Sequence, residues 1–145
     1  MVIERVTAVT AELVEAFRRL IPQLTDGAPP PGADELKALL ESRTSVVLIV
    51  RHPEAKSDIF GAGTLGVYRV PTGIRAVIED VIVDRASRGL GMGEALMRQL
   101  LETARQMGAR GVTLTSNPGR AAANRLYVRM GFALRQTNCY FYKFE

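Results

Sequence analysis

The 145-residue chain has a single cysteine, Cys139, a single histidine, His52, and no tryptophan. One cysteine leaves no partner for an internal disulfide, which points to a reducing cytoplasm. One histidine and one cysteine make no ligand cluster, so no metal site is expected. Cys139 has no nearby histidine to activate it as a thiolate and reads as a packing residue of a strand. His52, beside a proline turn, reads as a surface residue. No run of about 18 apolar residues occurs, which excludes a helical membrane span. The N-terminal Met-Val-Ile-Glu-Arg-Val lacks the basic-then-apolar form of a signal peptide. There is no internal repeat and no low-complexity stretch beyond a few prolines.

Hydrophobic residues make up 47% of the chain, so disorder is not the default. The length suits a single domain over residues 1–145. A chain of this size buries roughly 70% of its unfolded surface, enough for one core. The net charge is +4 and the pI about 9.6. A basic balance can signal nucleic acid, but here the arginines are scattered and the few aromatics do not interleave with them. An anionic small ligand accounts for the same balance, and so does a solvated basic surface.

Val2–Val6 reads as a first strand. Thr10 is placed as an N-cap, and Leu13, Phe17, Leu20, Ile21 and Leu24 follow as one helical stripe, with Pro22 expected to end or kink the helix. The proline-rich segment 25–32 is a loop, and a short helix carries Leu36, Leu39 and Leu40 on one face. Val46–Val50 has the composition of a buried strand, and the segment from His52 to Lys56 that of a turn. Ile59–Val70 and Ile74–Asp84 read as strands joined by a Pro71-Thr72-Gly73 turn, with Gly61, Gly63 and Gly66 marking weak points or bulges. A crossover helix ending near Met107-Gly108 leads to a strand at Gly111–Thr115, parallel to the one before the helix.

The chain is organised around Val81–Leu96. Val81, Ile82 and Val83 form a β-branched run suited to a buried strand. Gly89, Gly91 and Gly93 then alternate in a loop, and Glu94 opens a helical pattern with Leu96, Leu100 and Ala104 on one face. A strand that turns through glycines into a helix presents free backbone N–H groups and the positive end of the helix dipole, and the missing side chains let a ligand approach. That is a site for phosphate. The spacing is neither the Gly-x-Gly-x-x-Gly of a dinucleotide fold nor a P-loop. A glycine turn that serves only to pack helix on strand is the plainer reading of the same residues.

Arg88, Gly91 and Gly93 match (Gln/Arg)-x-x-Gly-x-(Gly/Ala), and the segment resembles the coenzyme A loop of the GNAT superfamily of N-acyltransferases. A second stretch, from Asn117 through Ala123, Leu126 and Tyr127 to Gly131-Phe132, is similar to that family's closing motif. Ile78-Glu-Asp-Val, and a last strand at Thr137–Tyr142, fit as well, so the resemblance spans roughly residues 78–145. It implies an α/β (α+β) fold, a mixed and mostly antiparallel sheet with helices on both faces. It implies transfer of an acetyl group from acetyl-CoA to an amine. The backbone of the Val81–Ile82–Val83 segment would run beside the pantetheine arm. Arg88, Gly89, Leu90, Gly91, Met92, Gly93 and Glu94 would hold the pyrophosphate. Asn117 would meet the pantetheine, with Arg120, Ala123 and Asn124 lining the cofactor's far side. Tyr127 would direct its hydroxyl at the thioester sulfur.

The chemistry explains why such groups are wanted. Attack on a thioester builds an oxyanion that backbone N–H groups can stabilise. A phenol with a reference pKa of about 10 can protonate the leaving thiolate. The acceptor arrives as ammonium and must lose a proton. Glu79 is the candidate base, since it shares the face of Val81 if the strand pairing is regular. A bulge would put Asp80 in its place, and an ordered water is a third possibility. Each of these residues also has a structural reading: Tyr127 as a core aromatic, Glu79 and Asp80 as partners of arginines. The partner is then a small-molecule or peptide amine, with neither nucleic acid nor membrane involved. A homodimer suits the small size and the family's habit. The alternative function is a non-catalytic module that binds or senses acyl-CoA, which would have no use for an acid and a base.

Overall fold

The computed structural model describes residues 1–52, 54 and 58–145. They form two compact units, Met1–Thr115 and Ser116–Glu145. Part of the turn read after His52 (Pro53, Ala55 and Lys56) lies outside the described residues.

In the first unit four strands form an antiparallel sheet in the order β1-β2-β3-β4: Val2–Arg5, Ser45–Arg51, Ile59–Val70 and Gly73–Val83. β2 is the centre of the core, with Val46 to Val50 all buried. Such a run is apolar on both faces, and both faces are covered. Toward one side point Val47, Ile49, Ala62 and Ile82, which pack with Leu13, Phe17 and Leu20 of α1 (Ala11–Leu24) and Leu36 of α2 (Ala33–Glu41). On the other side lies α3 (Met92–Gln106), whose Leu96 and Leu100 reach the sheet at Gly63. A Cβ added at Gly63 would come 2.9 Å from Leu100 Cδ1 and 3.3 Å from Val81 Cγ2, so glycine there lets α3 lie close.

Local chemistry sets the helix ends. The Thr10 hydroxyl accepts the Leu13 N–H at 3.1 Å and caps α1. Pro22 neither stops nor breaks that helix where it stands; α1 continues two residues to Leu24, because a proline in the last turn forfeits one bond only. α3 starts at Met92, two residues ahead of Glu94.

Two expected strands are not formed. The segment 111–115 makes one parallel bridge, Val77 to Thr113, rather than a full strand. Its direction is the expected one. In the second unit, α4 (Ala121–Arg129) is the only regular element among the described residues, and residues 133–145 have no regular structure. Cys139 is therefore an exposed residue and not a packing residue of a strand. A strand exists only when its backbone has a neighbour to bond, and composition alone does not supply one. His52 is half-buried, with its ring centroid 6.2 Å from that of Phe60 in an edge-to-face arrangement and Nδ1 accepting the Glu54 N–H at 3.2 Å, so it is tied down rather than simply superficial.

Candidate active site

The pairing of β3 with β4 is regular up to Thr64–Glu79 and resumes at Ala62–Ile82, so Asp80 and Val81 together face Gly63. This is a β-bulge, and Asp80 sits in the left-handed region at φ 52°. Thr64 and Ala62 lie on one face of β3, so their partners Glu79 and Ile82 lie on one face of β4. Val81 is on the opposite face, where its Cγ2 lies 3.3 Å from the position a Cβ on Gly63 would take. The condition under which Glu79 would share Val81's face, regular pairing, is thus not met. Both carboxylates are exposed at the bulge.

Beyond the bulge β4 has an outward-facing edge. Before it, Ile78 N–H donates to Thr113 C=O at 2.9 Å and Thr113 N–H donates to Ala76 C=O at 3.1 Å. After it, Asp84 N–H donates inward to Phe60 C=O at 2.8 Å. In an antiparallel ladder alternate residues face opposite ways, so Val83 and Val81 turn their backbone groups away from β3. The Val83 carbonyl accepts a long bond, 3.3 Å, from Arg88 Nε.

The chain leaves this edge through a short 3-10 turn at Arg85–Ser87, capped by Asp84, whose Oδ1 accepts the Ala86 N–H at 3.1 Å. Asp84 is buried. Its Oδ2 takes Arg19 Nε at 2.8 Å, and the same guanidinium donates to the Ile59 carbonyl. Gln23, one turn along α1, accepts the Arg85 N–H at 2.9 Å. Burial pushes the Asp84 carboxyl up, but the Ala86 N–H, Arg19 and Gln23 outweigh it and leave the group below the ordinary 3.8. These α1 residues, 65 and 62 positions away in sequence, were not legible as site residues. Only Asp84 carries a local signal, an acid two residues ahead of a small residue in turn context.

Gly89 and Gly91 follow at φ 83° and 77°, with no atom within 4 Å of where a Cβ would stand. Gly91 is the N-cap of α3 and brings no side-chain cap. The first intrahelical bond is Ala95 N–H to Gly91 C=O at 3.0 Å, so the Met92 and Gly93 amides are not used within the helix. Leu90 is exposed and Gly93 half-buried in the first turn. The Glu94 carboxylate, a like charge for any phosphate, is drawn along the helix to Arg98 at 2.6 Å. Open space over two left-handed glycines, an uncapped helix start and an outward strand edge suit a phosphorylated, extended ligand, and Arg88 adds a cation.

In the second unit the predicted residues form a group of their own. Asn117 Oδ1 accepts the Gly119 N–H at 2.8 Å, and its carbonyl accepts the Arg120 N–H at 3.0 Å. Asn124 Nδ2 reaches the carbonyls of Arg120 at 2.8 Å and Asn117 at 3.0 Å, and Ser116 Oγ at 3.4 Å. The amide of Asn124 thus shapes the turn that starts α4, and Ala123 is half-buried in the first turn. At the other end Gly131 (φ 97°) makes a complete Schellman stop: Gly131 N–H to Val128 C=O and Phe132 N–H to Tyr127 C=O, both 3.0 Å. The apolar contact that accompanies such a stop is here Tyr127 against Phe132, edge to face at 5.8 Å. The spacing of Gly131 after the helical stripe predicts this stop, and the Tyr127–Phe132 ring contact is what the structure adds to it. Burial pushes the Tyr127 phenol above its ordinary 10, with the Arg120 charge pulling the other way, so it is protonated at neutral pH and acts as a donor.

A sequence model of the acetyltransferase (GNAT) family matches residues 13–132. The chain is 30% identical over 129 residues to a glucosamine 6-phosphate N-acetyltransferase of Oryza sativa, covering 84% of this chain and 76% of that one. It is 36% identical over 103 residues to the glucosamine 6-phosphate N-acetyltransferase of Trypanosoma brucei, covering 68% and 69%. Among solved structures, an aminoglycoside acetyltransferase from an uncultured soil metagenomic sample superposes with a TM-score of 0.85 at 20% identity, over 99% of this chain and 95% of that one.

Proposed function

The chain belongs to the GNAT family and is an acetyltransferase, and from that premise we propose that it moves the acetyl group of acetyl-CoA to the primary amine of a small molecule by direct attack. The observation that carries the donor assignment is the Gly91 cap: a helix start with no side chain over it, placed directly after the outward edge at Val81 and Val83. Arg88 and the amides of the Gly89–Gly93 loop hold the pyrophosphate, and the β4 edge pairs with the pantetheine amides. The free amine would add to the thioester carbonyl to give a tetrahedral oxyanion, whose collapse breaks the C–S bond while the nitrogen loses its second proton to leave a neutral amide. Tyr127 gives its proton to the departing thiolate. Glu79, Asp80 or a water takes the ammonium proton. Amino sugars are the lead acceptor class, supported by the names of two relatives. A reducing compartment, as in the cytoplasm, suits a chain whose lone cysteine is exposed.

The test is thiol release from acetyl-CoA with a panel of amines: glucosamine 6-phosphate, an aminoglycoside and an N-terminal peptide. Turnover with a small amine is expected. Turnover with the peptide alone replaces the acceptor class, and binding of acetyl-CoA without release for any amine returns the chain to a sensing role. Glu79→Gln and Asp80→Asn separate the bases. Replacing the residue that removes the ammonium proton should cost roughly 100-fold or more in turnover, and two silent variants leave the task to water.

A further inference from the structure

The β3–β4 hairpin has two unlike faces. In its ladder Leu65 stands opposite Ile78 and Val67 opposite Ala76, and all four are buried. The alternate pairs, Thr64–Glu79, Gly66–Val77 and Tyr68–Arg75, share the other face. This is the face on which Ala62 and Ile82 pack with α1 and α2. Beyond those two residues it opens: Thr64, Gly66 and Val77 are half-buried, and Glu79, Tyr68 and Arg75 are exposed. A strip of sheet thus leads from a candidate base to an arginine and a tyrosine, and the proposed reaction uses only its first residue.

The charges on this strip are not neutralised within the chain. Among the described residues neither Glu79 nor Arg75 has an ion-pair partner. Arg75 Nη2 donates instead to the Thr72 hydroxyl oxygen at 2.7 Å. That oxygen accepts, so the Thr72 O–H hydrogen remains available to an outside acceptor. The rest of the guanidinium fork suits a phosphate or a carboxylate. Tyr68, directly across from Arg75, is 46% exposed and offers a ring against which the apolar face of a sugar can lie. At about 3.4 Å per residue Arg75 stands roughly 14 Å along β4 from Glu79. An amine held at Glu79, one sugar ring and an anion held at Arg75 fill that span.

We propose that Arg75, with Thr72 and Tyr68 beside it, receives an anionic group of the acceptor, a phosphate or a carboxylate, and so selects amines that carry one over neutral amines. The proposal rests on the acetyl-transfer reading, in which the amine lies at the Glu79 end of the strip. A neutral amine leaves the guanidinium in water, whereas an anionic one adds a charge-assisted, bidentate pair. That pair is remote from the bond being formed. It is made equally in the ground state and the transition state, so its effect falls on KM and not on kcat. Arg69 serves as an internal comparison: it is exposed and next to Tyr68, but it pairs with Ile74 on the opposite face.

The experiment uses the full chain and three amines that differ at one position: glucosamine, glucosamine 6-phosphate and the corresponding 6-carboxylate. Steady-state kinetics at saturating acetyl-CoA should show a lower KM for at least one anionic sugar than for glucosamine, and the stronger of the two identifies the anion. Arg75→Ala should raise that KM about tenfold or more with kcat within about twofold. Arg75→Lys should restore part of the loss, and Arg69→Ala should keep the preference. The preference should also weaken as salt is raised. Equal kcat/KM for all three sugars overturns the proposal, and so does a preference that survives Arg75→Ala or is lost equally in Arg69→Ala. If no sugar is acetylated, calorimetric titration of the same three compounds into wild type and Arg75→Ala separates the two readings. An anion preference in Kd that depends on Arg75 sustains the subsite and removes the acetyl-transfer reading for these amines, and no such preference overturns the subsite.

Discussion

At the scale of single residues Tyr127 has two duties that one substitution separates. Its ring packs on Phe132 and locks the end of α4, while its hydroxyl is the proposed proton donor. Tyr127→Phe keeps the ring and removes the hydroxyl. Turnover is expected to fall by 10²–10⁴, the usual worth of a positioned acid. KM for acetyl-CoA should stay within about twofold and the melting temperature within a degree or two. The sign of the pH effect follows from burial. The acid form is the active one and its pKa lies above the ordinary tyrosine value, so the wild-type rate declines only as pH rises through that raised pKa. The variant should lack this alkaline limb. Turnover equal to wild type would leave Tyr127 with its structural duty alone.

At the scale of elements the question is what holds the phosphate loop in place, since glycines do not hold themselves. Arg19 and Gln23 of α1 bind Asp84 and Arg85 on the loop side of β4, so the loop is fixed to a helix that also lines the core. Arg19→Ala should raise KM for acetyl-CoA more than it lowers kcat. It should cost only about 1 kcal/mol of stability, because the arginine is partly exposed and solvent screens the pair. Lysine at 19 should restore part of the loss. The Asp84 carboxyl lies below its unfolded value of 3.8, so its contribution is complete above that pH and fades as pH falls through the lowered folded value. Asp84→Asn should therefore be less stable than wild type at neutral pH, and a series of melts should show the gap closing in acid. A gap that stays constant down to low pH would mean that the carboxylate charge contributes nothing.

At the scale of the molecule, what could be read from the chain was what periodicity and caps encode. α1 with its Thr10 cap, the hairpin at Pro71–Thr72 and the stop at Gly131 are local statements, and local residues state them. The bulge at Asp80 was open to reading only as an alternative, because a one-residue shift in pairing leaves the β-branched pattern of Val81–Val83 untouched. The Arg19–Asp84 pair spans 65 residues and no periodicity links them. The strand at Thr137–Tyr142 was implied by the family resemblance and not by any local periodicity or cap, and residues 133–145 have no regular structure. The donor site is likewise a property of the assembled strand edge, loop and helix, so it is tested on the whole chain. Acetyl-CoA at about 100 times its dissociation constant should add roughly 2.7 kcal/mol to the folded state. For a chain of this size that is a rise of about 5–11 °C in melting temperature. Free CoA should act similarly and ATP weakly, because a pantetheine arm can pair with the β4 edge and ATP has none. Equal shifts with ATP would reduce the site to a phosphate cradle. No shift at millimolar acetyl-CoA would leave Gly89–Gly93 as a turn that packs α3 on the sheet.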